Sequence, residues 1–558
     1  MVQFNHQQPK QDSEQVRNSI FRAFSLFILR LWRFMCRGNP PDLILAGLGL
    51  VTSLMMAIPI FYVIWRSLHA GADRWLQLLD ARIPMLLWNT LSLTVGVTFL
   101  AVCIGVSLAW FVIRSDLFGN KTWSWLLALP LVVPPYVGAM TYIILLGPRG
   151  WFRELWNRSD VIVNGFGEYP LQIYSFTGLM FVLTMFTYPY VFLITSAALK
   201  KMNRSYEDVA RSHGLGTHQI FWKVYIPLLR RAIGAGAILI SLYVLSDFGA
   251  IAMLRYTTFT SAIYYQMGSY DNVTAAVLSV VLIVITIIFL YIESRTRRKQ
   301  SYVQTSNSFV PLVKVKLGKW KPYVTAYVAV IFVLSFLMPV IVLGYWSWVG
   351  LLSGALDSKF WVYAWNSFAV SSSAAVLSIV LALPIIYLKS RYPSYFSTWV
   401  EKLSYSGYAL PGVIVALGII YIFNQYIPWM YNTAALITVA YLIRFLPQAM
   451  QAGESTLSMI SPRIDETARS LGYPPWKVMF KVILPMMIPG LLAGGALVFV
   501  SSIKELPATL LLRPPGFDTL SVRVWVEAGE SIYHLAAPAA LLIVLISIVP
   551  LRYLIKSD

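Results

Sequence analysis

Charge is scarce in this chain. Only 12% of its 558 residues are Asp, Glu, Lys or Arg, against roughly 25% in a soluble globular domain. Acidic residues are the scarcer sign, 24 against 44 Lys and Arg, for a net charge of +20. Cysteine is nearly absent. Cys36 lies in a basic stretch and Cys103 in an apolar one, which argues against a disulfide framework. Cysteine and histidine nowhere show the spacing of a metal site, and His213 and His218 on a basic loop are weak evidence for one. No glycine-rich phosphate-cradling loop ends in Lys-Ser/Thr, and no paired catalytic constellation is present. The chain reads as a non-enzyme, with no cofactor and no resident metal expected.

What the chain does have is hydrophobicity. Apolar residues make up 58% and fall into blocks such as Leu43–Trp65, Leu91–Ile113 and Ala275–Ile292. A helix of about 20 apolar residues spans a bilayer core. Lipid admits only helices and closed barrels, because backbone groups there must pair internally. Continuous apolar runs exclude a barrel, whose strands alternate. The expected fold class is an all-α polytopic membrane protein with about 12 transmembrane helices. The first six fall at 43–66, 87–113, 123–146, 172–199, 229–252 and 273–293. The second six fall at 322–346, 364–388, 401–424, 432–450, 483–503 and 534–555. Most basic residues sit in the short gaps between blocks, where they set orientation rather than bind nucleic acid. That bias puts both termini in the cytoplasm. Residues 1–42 read as a cytoplasmic basic tail whose stretch 20–35 lies on the membrane surface.

The chain repeats itself. Trp88-Asn89-Thr90 matches Trp365-Asn366-Ser367 at an offset of 277, as do Arg114 with Arg391 and Pro134 with Pro411. Later the offset is 258, pairing Pro189 with Pro447, Gly214 with Gly472, Pro227 with Pro485 and Asp247 with Glu505. The difference of 19 is an insertion in the first half, near 147–171. Six spans per half give two parallel repeats: a first transmembrane domain at 43–293, a polar cytoplasmic linker at 294–321, and a second transmembrane domain at 322–558.

The loop after the fourth span of each half carries the most information. It runs from Asn203 through Glu207, Asp208, Ala210 and Gly214 to Pro227, and again from Ser461 through Asp465, Glu466, Ala468 and Gly472 to Pro485. Carboxylate-to-Gly and Gly-to-Pro spacings are six and thirteen residues in both. Asn203 and Ser461 are N-cap types, and Pro462 suits the first helical position. The acidic residues favour an early helical turn, and the glycines supply a left-handed stop. Helix, turn, helix is the expected form, with a short helix parallel to the membrane. Pro227 and Pro485 mark entry to the fifth spans.

These residues resemble the "EAA" loop of bacterial ABC importer permeases. The resemblance implies that Asp208, Ala210 and Gly214, with Glu466, Ala468 and Gly472, couple the chain to a dimer of ATP-binding cassette ATPases. Both copies depart from the pattern at its first Ala, with Val209 and Thr467. Two fused six-span halves, with Lys504-Glu505-Leu506-Pro507 and Ser246-Asp247-Phe248-Gly249 after the fifth spans, resemble the branch that imports ferric iron. That implies a periplasmic substrate-binding protein on the outer face and a multi-pass place in the bacterial inner membrane. Similar permeases move thiosulfate, sulfate, polyamines or phosphonates. Twelve spans in two parallel halves also suit a gradient-driven secondary transporter, although 114–121 lacks that class's Gly-Asp-Arg-Gly-Arg type of pattern.

Several residues keep two readings. Asp208 and Glu466 fit ATPase contact or plain helix capping. Asp247 and Glu505 fit a pair of pathway carboxylates for a hard cation. They fit rather better an interfacial position in water, with Glu505 paired to Lys504 or Arg513. Arg444 is expected to pair locally or snorkel, and Asn89 and Asn366 to act as helix caps and interfacial anchors.

Overall fold

The structure, a computed structural model, describes residues 35–36, 40–158, 169–297 and 313–556. The expected surface stretch 20–35 falls almost wholly outside these residues, as does the middle of the linker 294–321. Among the described residues, nine helices are long and apolar enough to cross a bilayer. They are Leu43–Leu68, Ile83–Arg114, Phe176–Lys200, His218–Ser246, Asn272–Ile292, Gly318–Leu352, Ser358–Arg391, Pro475–Ile503 and Tyr533–Pro550.

The third span of each half is not one straight helix. Asn120–Val132 meets Pro135–Asn157 at 92°, and the second half is likewise broken between Tyr395–Tyr408 and Gly412–Tyr426. The breaks fall at Pro134 and Pro411, the prolines matched by the repeat. Both are extended, with φ −62°, ψ 137° and φ −56°, ψ 144°. Proline lacks the amide a helix needs and clashes with the carbonyl one turn back, so each helix stops and has to restart. The remaining expected span is Ala434–Ser458. Arg444, Gln448, Gln451 and Glu454 lower its hydropathy, yet Leu436, Ile437, Ala440, Ile443 and Leu446 are fully buried.

The repeat persists in the packing. Pro189 and Pro447 lie inside the fourth-span helices Phe176–Lys200 and Ala434–Ser458. A Cβ on Gly236 would stand 2.9 Å from Val191 Cα, and one on Gly494 would stand 2.9 Å from Ala449 Cα. Both pairs are matched at offset 258. Lipid gives helices no hydrophobic reason to associate, so small residues that let backbones approach do that work.

The chain divides into two compact units. One comprises Met1–Ala57, Ala375–Tyr408 and Phe445–Val498. It contains the second Gly-centred loop and the helix Tyr395–Tyr405, which opens on a capping box between Ser394 and Ser397. Glu401 of that helix pairs with Lys389 at 2.5 Å. The other unit comprises Ile58–Ala374, Ala409–Arg444 and Phe499–Asp558. Its core is built where Ile83–Ala109, Phe176–Lys200 and Ile226–Ser246 pack together. Also within it, the far end of the linker is tied down. Ser115 bridges Val315, and Asp116 accepts from the Leu317 amide at 2.9 Å and Lys321 Nζ at 3.3 Å. The Leu317 amide, helped by Lys321, holds the Asp116 carboxyl below the usual carboxylate range.

Candidate functional site

Each Gly-centred loop begins with a short helix, Ser205–Ser212 or Pro462–Ser470. Ser461 caps the second as expected, accepting from the Arg463 amide at 3.4 Å. Asn203 sits one residue before the first helix's cap position and accepts from the Ser205 amide at 3.1 Å. Gly214 and Gly472 end these helices with φ 78° and 85°, where a Cβ is strained. The chain then closes on itself through the Leu215 amide to the Ala210 carbonyl at 3.2 Å, and Tyr473 to Ala468 at 3.3 Å. Beyond the two glycines the next helical stretch is continuous with the fifth span. Thr217–Ile220 and Pro475–Val478 run through π turns, Phe221–Tyr225 and Met479–Ile483, directly into the fifth spans. Pro227 and Pro485 stand just beyond those turns, which absorb the helix hydrogen bond that proline cannot make.

The residues expected to couple are placed differently from one another. Ala210 and Ala468 are buried against the body of the protein. Asp208 is half exposed and paired with Arg204 at 3.1 Å, and Glu466 is exposed. Beside the second helix, Ile464, Ala468 and Leu471 face Lys481 and Val482 across an open cleft of about 540 Å³.

The buried carboxylates are the neighbours of these two. Glu207 is ion-paired to Arg114, accepts from Tyr225 Oη at 2.7 Å and pairs with Arg211 at 2.7 Å. The side chains of Arg114 and Glu207 are 1% and 7% exposed. Asp465 pairs with Arg391 at 2.9 Å and accepts from Tyr387 Oη at 2.8 Å, with the Asp465 and Arg391 side chains 5% and 8% exposed. Arg391 also donates to the Ile460 carbonyl at 3.0 Å, and Arg469 to Tyr392 Oη at 2.6 Å. On sequence alone, Glu207 and Asp465 read as residues that favour the helix dipole and nothing more. The signal that could have found their partners is the matched pair Arg114 and Arg391, basic residues at equivalent ends of apolar spans.

After its fifth span each half breaks and restarts as two short helices. They are Gly249–Met253 and Phe259–Gly268 in the first half, Pro507–Leu512 and Leu520–Gly529 in the second. Asp247 and Glu505 sit at the breaks, both buried rather than in water at an interface. Asp247 Oδ1 accepts from the Ala250 amide at 3.1 Å and the Ile251 amide at 3.3 Å. Glu505 Oε1 accepts from the Ala508 amide at 3.3 Å. Thr260 and Ser521 hydroxyls close onto the Asp247 and Glu505 carbonyls at 2.6 and 2.9 Å. Glu505 is also ion-paired to Arg444. Neither partner expected for it is used, since Lys504 Nζ donates to the Leu131 carbonyl at 3.0 Å and Arg513 pairs with Asp518.

Asn89 and Asn366 tie these segments down instead of capping helices. Their amides donate to the carbonyls of Thr257 and Asp518, each at 3.0 Å. The next residue repeats the tie: Thr90 Oγ1 accepts from the Phe259 amide at 3.3 Å, and Ser367 Oγ from the Leu520 amide at 2.7 Å. The Gly249–Met253 helix packs on Pro135–Leu146, and Pro507–Leu512 on Gly412–Tyr426. Each post-span segment therefore rests on the broken third span of its own half.

Comparison with known proteins fits two copies of one architecture. The model of the family described as "Binding-protein-dependent transport system inner membrane component" matches residues 101–298 and again 374–554. The chain is 34% identical over 524 residues to "Fe(3+)-transport system permease protein FbpB 2" of Haemophilus influenzae, covering 93% of this chain and 98% of that protein. It is 23% identical to "Ferric transport system permease protein FbpB" of Actinobacillus pleuropneumoniae, covering 83% of this chain and 69% of that one. A "Putative 2-aminoethylphosphonate transport system permease protein PhnV" of Salmonella typhimurium is 28% identical over 39% of this chain and 87% of its own length, so it corresponds to a single half. With the family domain present twice and a relative matched along almost its whole length, the chain belongs to the inner membrane components of binding-protein-dependent transport systems.

Proposed function

We propose that this chain is the permease of an ATP-driven importer for ferric iron handed over by a periplasmic binding protein. The carrying observation is the near full-length similarity to a permease named for Fe(3+) transport, in a chain with two outward-facing acidic residues on duplicated Gly-ended helices. ATP is hydrolysed on a separate ATPase dimer, one subunit gripping each loop at Asp208 or Glu466, while Ala210 and Ala468 seat the coupling helix and Gly214 and Gly472 end it. Both termini are cytoplasmic, and domains 43–293 and 322–558 move against each other around the linker in an alternating-access cycle.

Asp247 and Glu505 are the pathway carboxylates in this reading. Fe³⁺ is a hard acceptor of oxygen ligands, and buried ionisable groups beside membrane-spanning helices mark ion paths by default. In this conformation both carboxylates are engaged within their own halves, Asp247 as a helix cap and Glu505 with Arg444, so each half has to release its own before it can meet iron. The test is uptake of radiolabelled ferric iron into proteoliposomes holding the chain, its ATPase and its loaded binding protein. ATP-dependent iron uptake supports the reading. Uptake of sulfate, thiosulfate, polyamine or phosphonate in place of iron would reassign the substrate. Gradient-driven uptake by the chain alone would make it a secondary transporter.

A further inference from the structure

We propose that Arg114–Glu207–Tyr225 and Arg391–Asp465–Tyr387 are clasps that carry the motor's stroke from each coupling helix into the membrane spans, an inference that rests on the ATP-driven reading. Consecutive helical residues point about 100° apart. Asp208 and Glu466 therefore face out, where a partner can reach them, while Glu207 and Asp465 face in. Each short helix has one acidic residue for the outside and one for the body of the protein.

The inner carboxylates are bound in a way that apolar packing does not require. A buried ion pair stabilises no better than well-packed apolar side chains of the same volume. What it adds is position: one guanidinium nitrogen sits on the carboxylate while a second donates elsewhere, from Arg114 to Tyr225 Oη and from Arg391 to the Ile460 carbonyl, so a helix held this way cannot slide along its seat without breaking charged hydrogen bonds. Arg114 and Arg391 close the spans Ile83–Arg114 and Ser358–Arg391. Movement of either coupling helix is thus delivered to the end of a second span.

The repeat supplies an internal control. The hydroxyl that completes each clasp comes from a different place. Tyr225 lies at the end of the π turn entering the fifth span, and its counterpart in the second half is Ile483. Tyr387 lies on the second span, and its counterpart in the first half is Trp110. Carboxylate, arginine and phenol are all present twice although the phenol has changed position. The consequence is a mechanical difference. The first clasp binds its helix to spans two and five, and the second binds to span two.

The experiment uses the reconstituted complex of chain, ATPase and binding protein. Glu207→Gln, Asp465→Asn, Tyr225→Phe and Tyr387→Phe are compared with Asp208→Asn and Glu466→Gln. For the four clasp variants, ATPase subunits should still co-purify and hydrolysis should continue. Substrate delivered per ATP should fall about tenfold for the carboxylate variants and less for the volume-preserving tyrosine variants. The two outer variants should instead weaken ATPase co-purification. An unchanged delivery ratio would overturn the proposal, even with a lowered Tm, because the clasps would then serve folding alone. Loss of ATPase binding in the clasp variants would overturn it too, by making Glu207 and Asp465 direct contacts. If the unaltered complex shows no ATP-driven uptake, the importer reading itself fails.

Discussion

The first half of the chain holds its buried carboxylate at the post-span break with backbone amides, and the second half holds its own with a charge. Asp247 caps a short helix. Glu505 does the same and also pairs with Arg444. At offset 258 the residue matching Arg444 is Phe186, and the residue matching Lys504 is Ser246. The fold of the segment is the same in both halves, down to the asparagine tie and the hydroxyl closing onto the carbonyl. Duplication preserved the geometry that positions the carboxylate and let its direct ion-pair partner diverge. The coupling loops follow the same rule, with the clasp kept and its phenol moved.

The largest expected effect breaks this comparison at Arg444. Glu505→Ala removes the carboxylate ion-paired to the half-buried Arg444 guanidinium, a change that costs up to about 3 kcal/mol. Asp247→Ala removes a cap worth about 1 kcal/mol. Thermal unfolding of the purified chain should therefore show a much lower Tm for Glu505→Ala than for Asp247→Ala. Similar losses would mean that Arg444 contributes little in the second half.

Next come the glycines that end the coupling helices. Gly214→Ala and Gly472→Ala place a Cβ at φ 78° and 85°, each costing about 1–2 kcal/mol in local strain. Nothing crowds either site within 4 Å, so the chain should insert normally while the helix end shifts. Gly472→Asp should abolish uptake with insertion retained. Normal uptake by that variant would remove the second loop from the coupling path, and unequal effects of the two alanine variants would show which loop carries more of the stroke.

Asn89→Ala and Asn366→Ala should each cost about 1 kcal/mol, the net value of one hydrogen bond. The two ties are both 3.0 Å long, so equal shifts in Tm are expected. A clear inequality would mean that the pseudo-symmetry of these segments does not extend to their energetics.

The smallest effect concerns the linker, which the repeat leaves without a counterpart. The Asp116 carboxyl is held below its usual range by the Leu317 amide and Lys321. A depressed carboxylate contributes stability above its unfolded pKa and loses it as pH falls through the folded value. The tether should thus be constant near neutrality and weaken only below about pH 4. Tryptic cleavage after Lys314 and Lys316, measured at pH 7, should be faster in Asp116→Asn than in the unaltered chain. Equal rates would mean that the Ser115–Val315 bridge holds the segment unaided.

Much of this protein was legible in one dimension. Apolar blocks must become helices in lipid because no water is present to satisfy the backbone, so the spans follow from composition and length. Pro134 and Pro411 lie where helices break, and Gly214 and Gly472 where helices end, because those residues restrict or free the backbone locally. The duplicated spacing exposed the two halves before any packing was considered. Hidden from the sequence was the direction each side chain points and the group it meets. Glu207 and Asp208 are adjacent and equally acidic, and only the seating of their helix buries one and exposes the other. Glu505 and Arg444 are separated by 61 positions, a distance across which sequence pattern carries no pairing information. Hydropathy is continuous across the third spans 123–146 and 401–424, so proline marks where each can break, while the 92° turn at Pro134 is set by what the restarting helix packs against. Sequence determined the elements and their breaks, since these depend on local sterics and on the solvent. Tertiary structure decided the charge pairs, since those depend on which helix faces converge.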